Sequence, residues 1–330
     1  MITEAPKSLT FFCELYSDDL VRLFSEPCLI EQLQTLGATI SLGIVDFSDE
    51  RAHVVHQLNK NGIPVIAWQL LSIEQGYWYN MSNADQAISG YEEFLEWTNK
   101  HNLHWAGLGV DIEPDISELQ DLLTNKLRII PVLFKRIFRK KHYDDACKIY
   151  HALVTKMQND HYTVDSYEFL FMDDDRKAGS CLLGRMLGVT EVPANRRVLM
   201  LYSSFFRPYG TAVLCNYACG ADSVAVGSTG GGVELHGMNH TPMNWDELSR
   251  DLKLARRYCD DIHIFSLEGC VEQGFMEPLI DFDWNHPIHQ PQPLTFLLII
   301  MRFISRQILC LMTHPFLTGL AFCLIFFWLF

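Results

Sequence analysis

Two carboxylates, Asp111 and Glu113, close the apolar stretch GLGVDIEPD over residues 107–115. In an extended strand, side chains alternate between faces. Gly107, Gly109, Asp111 and Glu113 therefore share one face, and Leu108, Val110 and Ile112 share the other. The aliphatic face needs a cover of helices, which turns both acids inward. Carboxylates placed in this way lose solvation, raise each other's pKa and favour sharing a proton. That is the chemistry of a general acid held beside a second, ionised carboxylate. Glu113 is the expected proton donor and Asp111 its partner.

The elements that must position them recur along the chain. Eight apolar runs read as strands, at 9–15, 38–45, 63–71, 105–113, 164–172, 197–203, 222–228 and 261–268. Amphipathic segments such as DERAHVVHQLNKNG and NWDELSRDLKLARRYCD lie between them. Strands rich in Val, Ile and aromatic residues, alternating with helical periods, imply parallel βα units. Eight units over residues 1–285 predict an α/β fold, a (β/α)8 TIM barrel. A doubly wound open sheet fits less well, because the first strand runs into Tyr16-Ser17-Asp18-Asp19 without a Gly-rich turn. Residues 116–160 are too long for one barrel helix and read as an insertion. Its segment 128–142 holds six Lys or Arg and no acid.

Barrel active sites lie at the C-terminal ends of the strands. Acids gather at those ends here: Glu14, Asp46, Asp111 with Glu113, Asp173 to Asp175, and Glu268. Asp46, before SDERAH, reads as a helix-start acid. Glu14, Trp68, Gln69, Asp173, Tyr202 and Glu268 are the expected substrate-binding residues. Further aromatics suited to sugar stacking are Tyr77, Trp78, Tyr79 and Phe206.

This arrangement resembles the chitinase-like family 18 glycoside hydrolases. Their fourth strand ends in D-x-x-D-x-D-x-E, which falls here on Ala106, Gly109, Asp111 and Glu113, so the last two positions match. Their sixth-strand M-x-Y-D is matched in part by Met200-Leu201-Tyr202-Ser203, and Phe265 stands nearest to their eighth-strand Trp. The resemblance implies hydrolysis of a glycosidic bond, with Glu113 protonating the glycosidic oxygen and the substrate's N-acetyl group as nucleophile. Gly109 and Ser203 replace acids of that pattern. Either another acid (Glu14, Asp173 or Glu268) takes part, or the chain binds glycans without cleaving them.

Two other classes fit the same acids. One is a metal-dependent barrel of the sugar-phosphate isomerase or phosphodiesterase kind, for which His236 and His240 are the histidines nearest the mouth. The other is an inactive glycan-binding or scaffold module. Gly227-Ser-Thr-Gly-Gly-Gly232 is a candidate anion loop. No nucleotide-binding glycine motif is present. Neither a cofactor nor a resident metal is expected.

Residues 294–330 carry no acid and two bases, Arg302 and Arg306. The rest of the chain is strongly acidic: the net charge of −14 becomes −16 over residues 1–293 once those two arginines are set aside. That excludes general nucleic-acid binding. HPIHQPQP at 286–293 reads as a linker, and 294–330 as a helical membrane tail. Arg302 and Arg306, one turn apart, suit an interfacial or snorkelling helix. Basic residues in 128–141 offer a second contact with lipid headgroups. The expected partners are thus a carbohydrate or glycolipid and membrane lipid. With no basic-then-apolar leader and no CxxC pair among ten cysteines, a cytosolic barrel with reduced thiols is expected.

Overall fold

The computed structural model describes residues 6–124, 126–233, 241–284 and 292–314. Eight parallel strands close into a barrel in chain order: β1 (Ser8–Cys13), β2 (Thr39–Ile44), β3 (Val65–Gln69), β4 (Gly107–Ile112), β5 (Val164–Phe169), β6 (Arg196–Met200), β7 (Ser223–Gly227) and β8 (Asp261–Phe265). Every expected strand is present, and β8 pairs back onto β1. The fold is a (β/α)8 TIM barrel.

Alternation sorts each strand between two apolar regions. Val65 and Ala67, Leu108 and Val110, and Ile262 and Ile264 face the surrounding helices in the main core. Inside the barrel, β1, β3, β5 and β7 contribute Phe12, Trp68, Tyr167 and Ala225 to one cluster. The three rings meet edge to face, with Phe12 5.2 Å from Trp68 and 4.7 Å from Tyr167 between centroids. These rings form a solid layer across the barrel, as alternate strands do in this architecture.

Local signals set the helix ends. Ser48 accepts the Arg51 N–H at the start of Asp49–Lys60. Asn244 and Glu247 form a reciprocal cap on Trp245–Arg256. Asp46, at the end of β2, binds the buried Arg51 guanidinium at 2.9 Å, and Arg51 also donates to the Gly43 and Leu15 carbonyls. Burial alone would raise the Asp46 pKa, but Arg51 and Ser48 hold it well below the usual carboxylate range. Asp46 is a brace for the loop.

The stretch expected as an insertion folds as three helices, Ile116–Thr124, Lys126–Ile137 and Lys140–Asn159; the last packs Tyr150, Leu153, Val154 and Met157 into the main core as the helix between β4 and β5. Its basic residues are mostly paired with acids. Arg136 is buried on Glu118 through two bonds of 2.6 and 2.7 Å, while Lys140 and Lys141 pair with Asp144 and Asp145. Among the described residues, Lys135 and Arg139 form no ion pair.

The helix Gln292–Thr313 is long and apolar enough to cross a membrane by length and composition. Its arginines do not behave as a snorkelling pair. Both turn inward onto the short helix Phe171–Lys177 that follows β5. Arg302 binds Asp173 at 2.7 Å and Asp174 at 2.9 Å, and its guanidinium lies 3.4 Å from the centre of the Tyr217 ring. Arg306 binds Asp174 at 2.8 Å. Leu298 and Leu309 pack inward beside them, while most of the other apolar side chains face outward. Most of the linker expected at 286–293, and residues 315–330, lie outside the described residues.

Candidate active site

The barrel mouth opens into a cavity of about 520 Å³ above the Phe12–Trp68–Tyr167 layer. Glu14, Asp111 and Glu113 are its acids. Trp68, Trp78, Tyr202, Phe205, Phe206 and Phe265 give it aromatic walls. Among the described residues, no Lys, Arg or His lines it. A cavity of this size, mostly apolar with a few convergent polar groups, suits a small-molecule or sugar-sized ligand.

Asp111, the penultimate residue of β4, sits just above the aromatic layer. The Trp68 indole donates to Asp111 Oδ2 at 3.1 Å, while buried Asp111 Oδ1 has no partner among the described residues. Burial first, then the charges of Glu113 and Glu14, push the Asp111 pKa well up. Glu113, one residue past the strand, is raised chiefly by burial and then by Glu14. The two face each other closely enough to hydrogen bond once one is protonated. Two carboxylates buried this close do not readily ionise together, so the pair favours sharing a proton.

Glu14 comes in from the end of β1. It accepts from the Tyr77 hydroxyl and, at 3.3 Å, from the Val233 N–H. Burial and the nearby Glu268 push its pKa up to about 8 against the pull of these bonds. Tyr77 holds a φ of 65°, a left-handed conformation unusual for a bulky residue. The preceding Gly76 is left-handed as well, and a Cβ there would lie 2.6 Å from Asp115 Oδ2. This strained turn directs the phenol at Glu14.

Glu268 stands one layer back. Its Oε1 accepts the Glu14 N–H at 3.4 Å, and it does not line the cavity. Burial raises its pKa to about 7. The glycines after β7 explain how it approaches. A Cβ on Gly231 would lie 2.4 Å from the Glu268 side chain, and one on Gly232 would lie 2.8 Å from Glu14 Oε2. The loop read as a candidate anion cradle is thus folded onto the Glu268 and Glu14 side chains.

Of the expected site residues, Glu14, Trp68, Asp111, Glu113 and Tyr202 converge on the cavity, and Glu268 supports it. Two do not belong there. Gln69 is buried on the opposite face of β3 from Trp68, because adjacent strand residues alternate. Asp173 turns away from the mouth to Lys177, Arg302 and Arg306. Tyr79 also lies behind the site, stacked on Tyr150. Phe265 lines the cavity, its ring centre 5.6 Å from that of Tyr202.

Both departures from the chitinase-like pattern have a structural explanation. A Cβ on Gly109 would lie 2.4–2.6 Å from the Tyr167 hydroxyl and ring, so the tyrosine occupies the space an acid would need. Tyr167 is held there by a 2.6 Å bond to Ser41. Ser203 is buried and donates to Asp251, tying β6 to the Trp245–Arg256 helix. Sequence reasoning missed the Tyr77–Glu14 bond and the packing role of Gly231 and Gly232. The Gly76-Tyr77 pair and the glycine run were the available signals.

Among the described residues, no group of three or more His, Cys, Asp and Glu is placed to hold a metal ion. His236 and His240 lie outside the described residues.

No protein-family model matches the chain, and no curated protein matches it. Solved structures similar to it include D-allulose 3-epimerase from Methylomonas sp., at 10% identity and TM-score 0.42, covering 92% of this chain and 100% of that one. Another is D-psicose 3-epimerase with D-tagatose from Clostridium cellulolyticum H10, at 10% identity and TM-score 0.38, covering 92% and 99%. Likeness at this level concerns the barrel architecture alone.

Proposed function

We propose that the protein is a glycoside hydrolase that acts on a terminal sugar through Glu113 as general acid. The observation that carries this reading is the buried Asp111–Glu113 pair, over Trp68, in an aromatic cavity whose acids have no cationic side chain beside them among the described residues. The sugar ring stacks on Trp68, Tyr202 or Phe265. Glu113 gives its proton to the glycosidic oxygen as the bond to the anomeric carbon breaks. Asp111, steadied by the Trp68 indole, offsets the positive charge that develops on the sugar. Water then adds its hydroxyl to the anomeric carbon and returns its proton to Glu113, so the bond is hydrolysed with no net change in the protein. Glu14, fixed by Tyr77, keeps Glu113 protonated.

The test is turnover of a panel of aryl glycosides, N-acetylated and not, by the wild type and Glu113→Gln, with and without chelator. The expected result is chelator-insensitive release of the aryl group that falls about 10²- to 10⁴-fold in the variant. Turnover abolished by chelator assigns a metal-dependent barrel instead. Sugar binding without turnover by either form assigns a binding module. Uptake of solvent deuterium into a free sugar without cleavage assigns an isomerase or epimerase.

A further inference from the structure

The outward face of Gln292–Thr313 is the longest run of exposed large apolar side chains among the described residues. Phe296, Leu297, Ile300, Phe303, Ile304 and Met312 are all exposed, Phe296 to 64% and Phe303 to 62%. A soluble barrel does not normally leave such a continuous apolar strip in water. The opposite face carries Leu298, Arg302, Arg306 and Leu309, which are packed or paired against the barrel.

Three observations identify what covers the strip. First, residues 316–330, which follow this helix in sequence, carry no charge at all. Second, the basic helix lies on the same flank. Ile137 packs with Leu309 in one cluster, and next to it Phe134 and Phe138 are exposed beside Lys135 and Arg139, which form no ion pair among the described residues. Exposed apolar side chains flanked by basic ones match an anionic lipid surface. Third, the inward face is fixed. To cross a bilayer, the helix would have to pull Arg302 and Arg306 out of their bonds with Asp173 and Asp174. That would strand two acids on the barrel and place two arginines in hydrocarbon.

We infer that Gln292–Thr313 lies in the plane of a lipid bilayer as a monotopic anchor, clamped edge-on to the barrel by the Arg302/Arg306–Asp173/Asp174 network, and does not span the bilayer. The clamp transmits orientation. The barrel cannot swivel about a free linker, because the anchoring helix is part of its own surface.

The test uses the full chain reconstituted into phosphatidylcholine vesicles, with and without phosphatidylserine. A fluorescent amino acid replaces Leu297, Ile304 or Leu311 in turn; these are outward positions two helical turns apart. Quenching by lipids brominated at shallow or deep chain positions reports the depth of each site. Similar shallow depths at all three sites are expected, with tighter binding when phosphatidylserine is present. Replacing both Asp173 and Asp174 by Asn should free the helix and spread the three depths. Its folding is checked by circular dichroism, and Lys135→Glu with Arg139→Glu provides a surface variant that should lose the phosphatidylserine preference. A deep Ile304 between shallow neighbours in the unmodified chain means a spanning helix and overturns the inference. So do three water-exposed labels, and so does a dimer that shields the labels without vesicles.

Discussion

At the scale of single residues, the site is a set of acids made to hold protons. Glu113 is raised by burial and by the charge of Glu14. Glu14→Gln removes that charge, so the alkaline limb of kcat/KM should move to lower pH, which a pH–rate profile would reveal. Stability is linked to the same groups. Glu14 titrates near 8 when folded against an ordinary value of 4.5. A raised carboxyl stabilises the fold fully below its unfolded pKa, and that contribution is lost as pH rises toward the folded one. Tm should therefore decline between about pH 4.5 and pH 8, and Glu14→Gln should flatten the slope. A Tm that rises over this window would contradict the assignment. Asp173→Asn provides the contrast: it should leave turnover intact, because Asp173 faces the tail helix.

At the scale of elements, β4 shows what sequence patterning can and cannot reveal. Alternation in GLGVDIE correctly turned both acids inward, because parallel strands bury one face against helices and the other inside the barrel. The same pattern could not show why Gly109 is glycine, since the reason is the Tyr167 ring from the next strand. Gly109→Ala should cost about 1–3 kcal/mol by overpacking. Gly109→Ala combined with Tyr167→Leu should cost less than the two separate penalties together, as a double-mutant cycle in urea would measure. Additive penalties would mean the clash is not the cause. Gln69 and Asp173 were misplaced for related reasons. Gln69 lies one residue out of phase with the cavity face, and Asp173 begins a short helix whose partners are 129 and 133 positions away. Spacing along a chain carries information about neighbours on one strand or helix, and little about such distant pairs.

At the scale of the whole molecule, the eight-strand plan was legible because each βα unit repeats the same periodicities. The docking of the tail was not, since hydropathy reports an apolar helix without saying which face meets the barrel. Arg302 is nearly fully buried, so Arg302→Ala leaves two acids without their main counterion and should cost about 3–5 kcal/mol. Limited proteolysis should then cut near Gln292–Thr313 sooner than in the wild type. The Phe12–Trp68–Tyr167 layer has a consequence of a different kind. It closes the barrel beneath Asp111, so among the described residues the cavity has no exit through its floor. Whatever reaches Asp111 must leave by the side it came in. On the proposed chemistry, a freed sugar resting on that floor blocks the next arrival until it departs. The released monosaccharide should therefore compete with substrate.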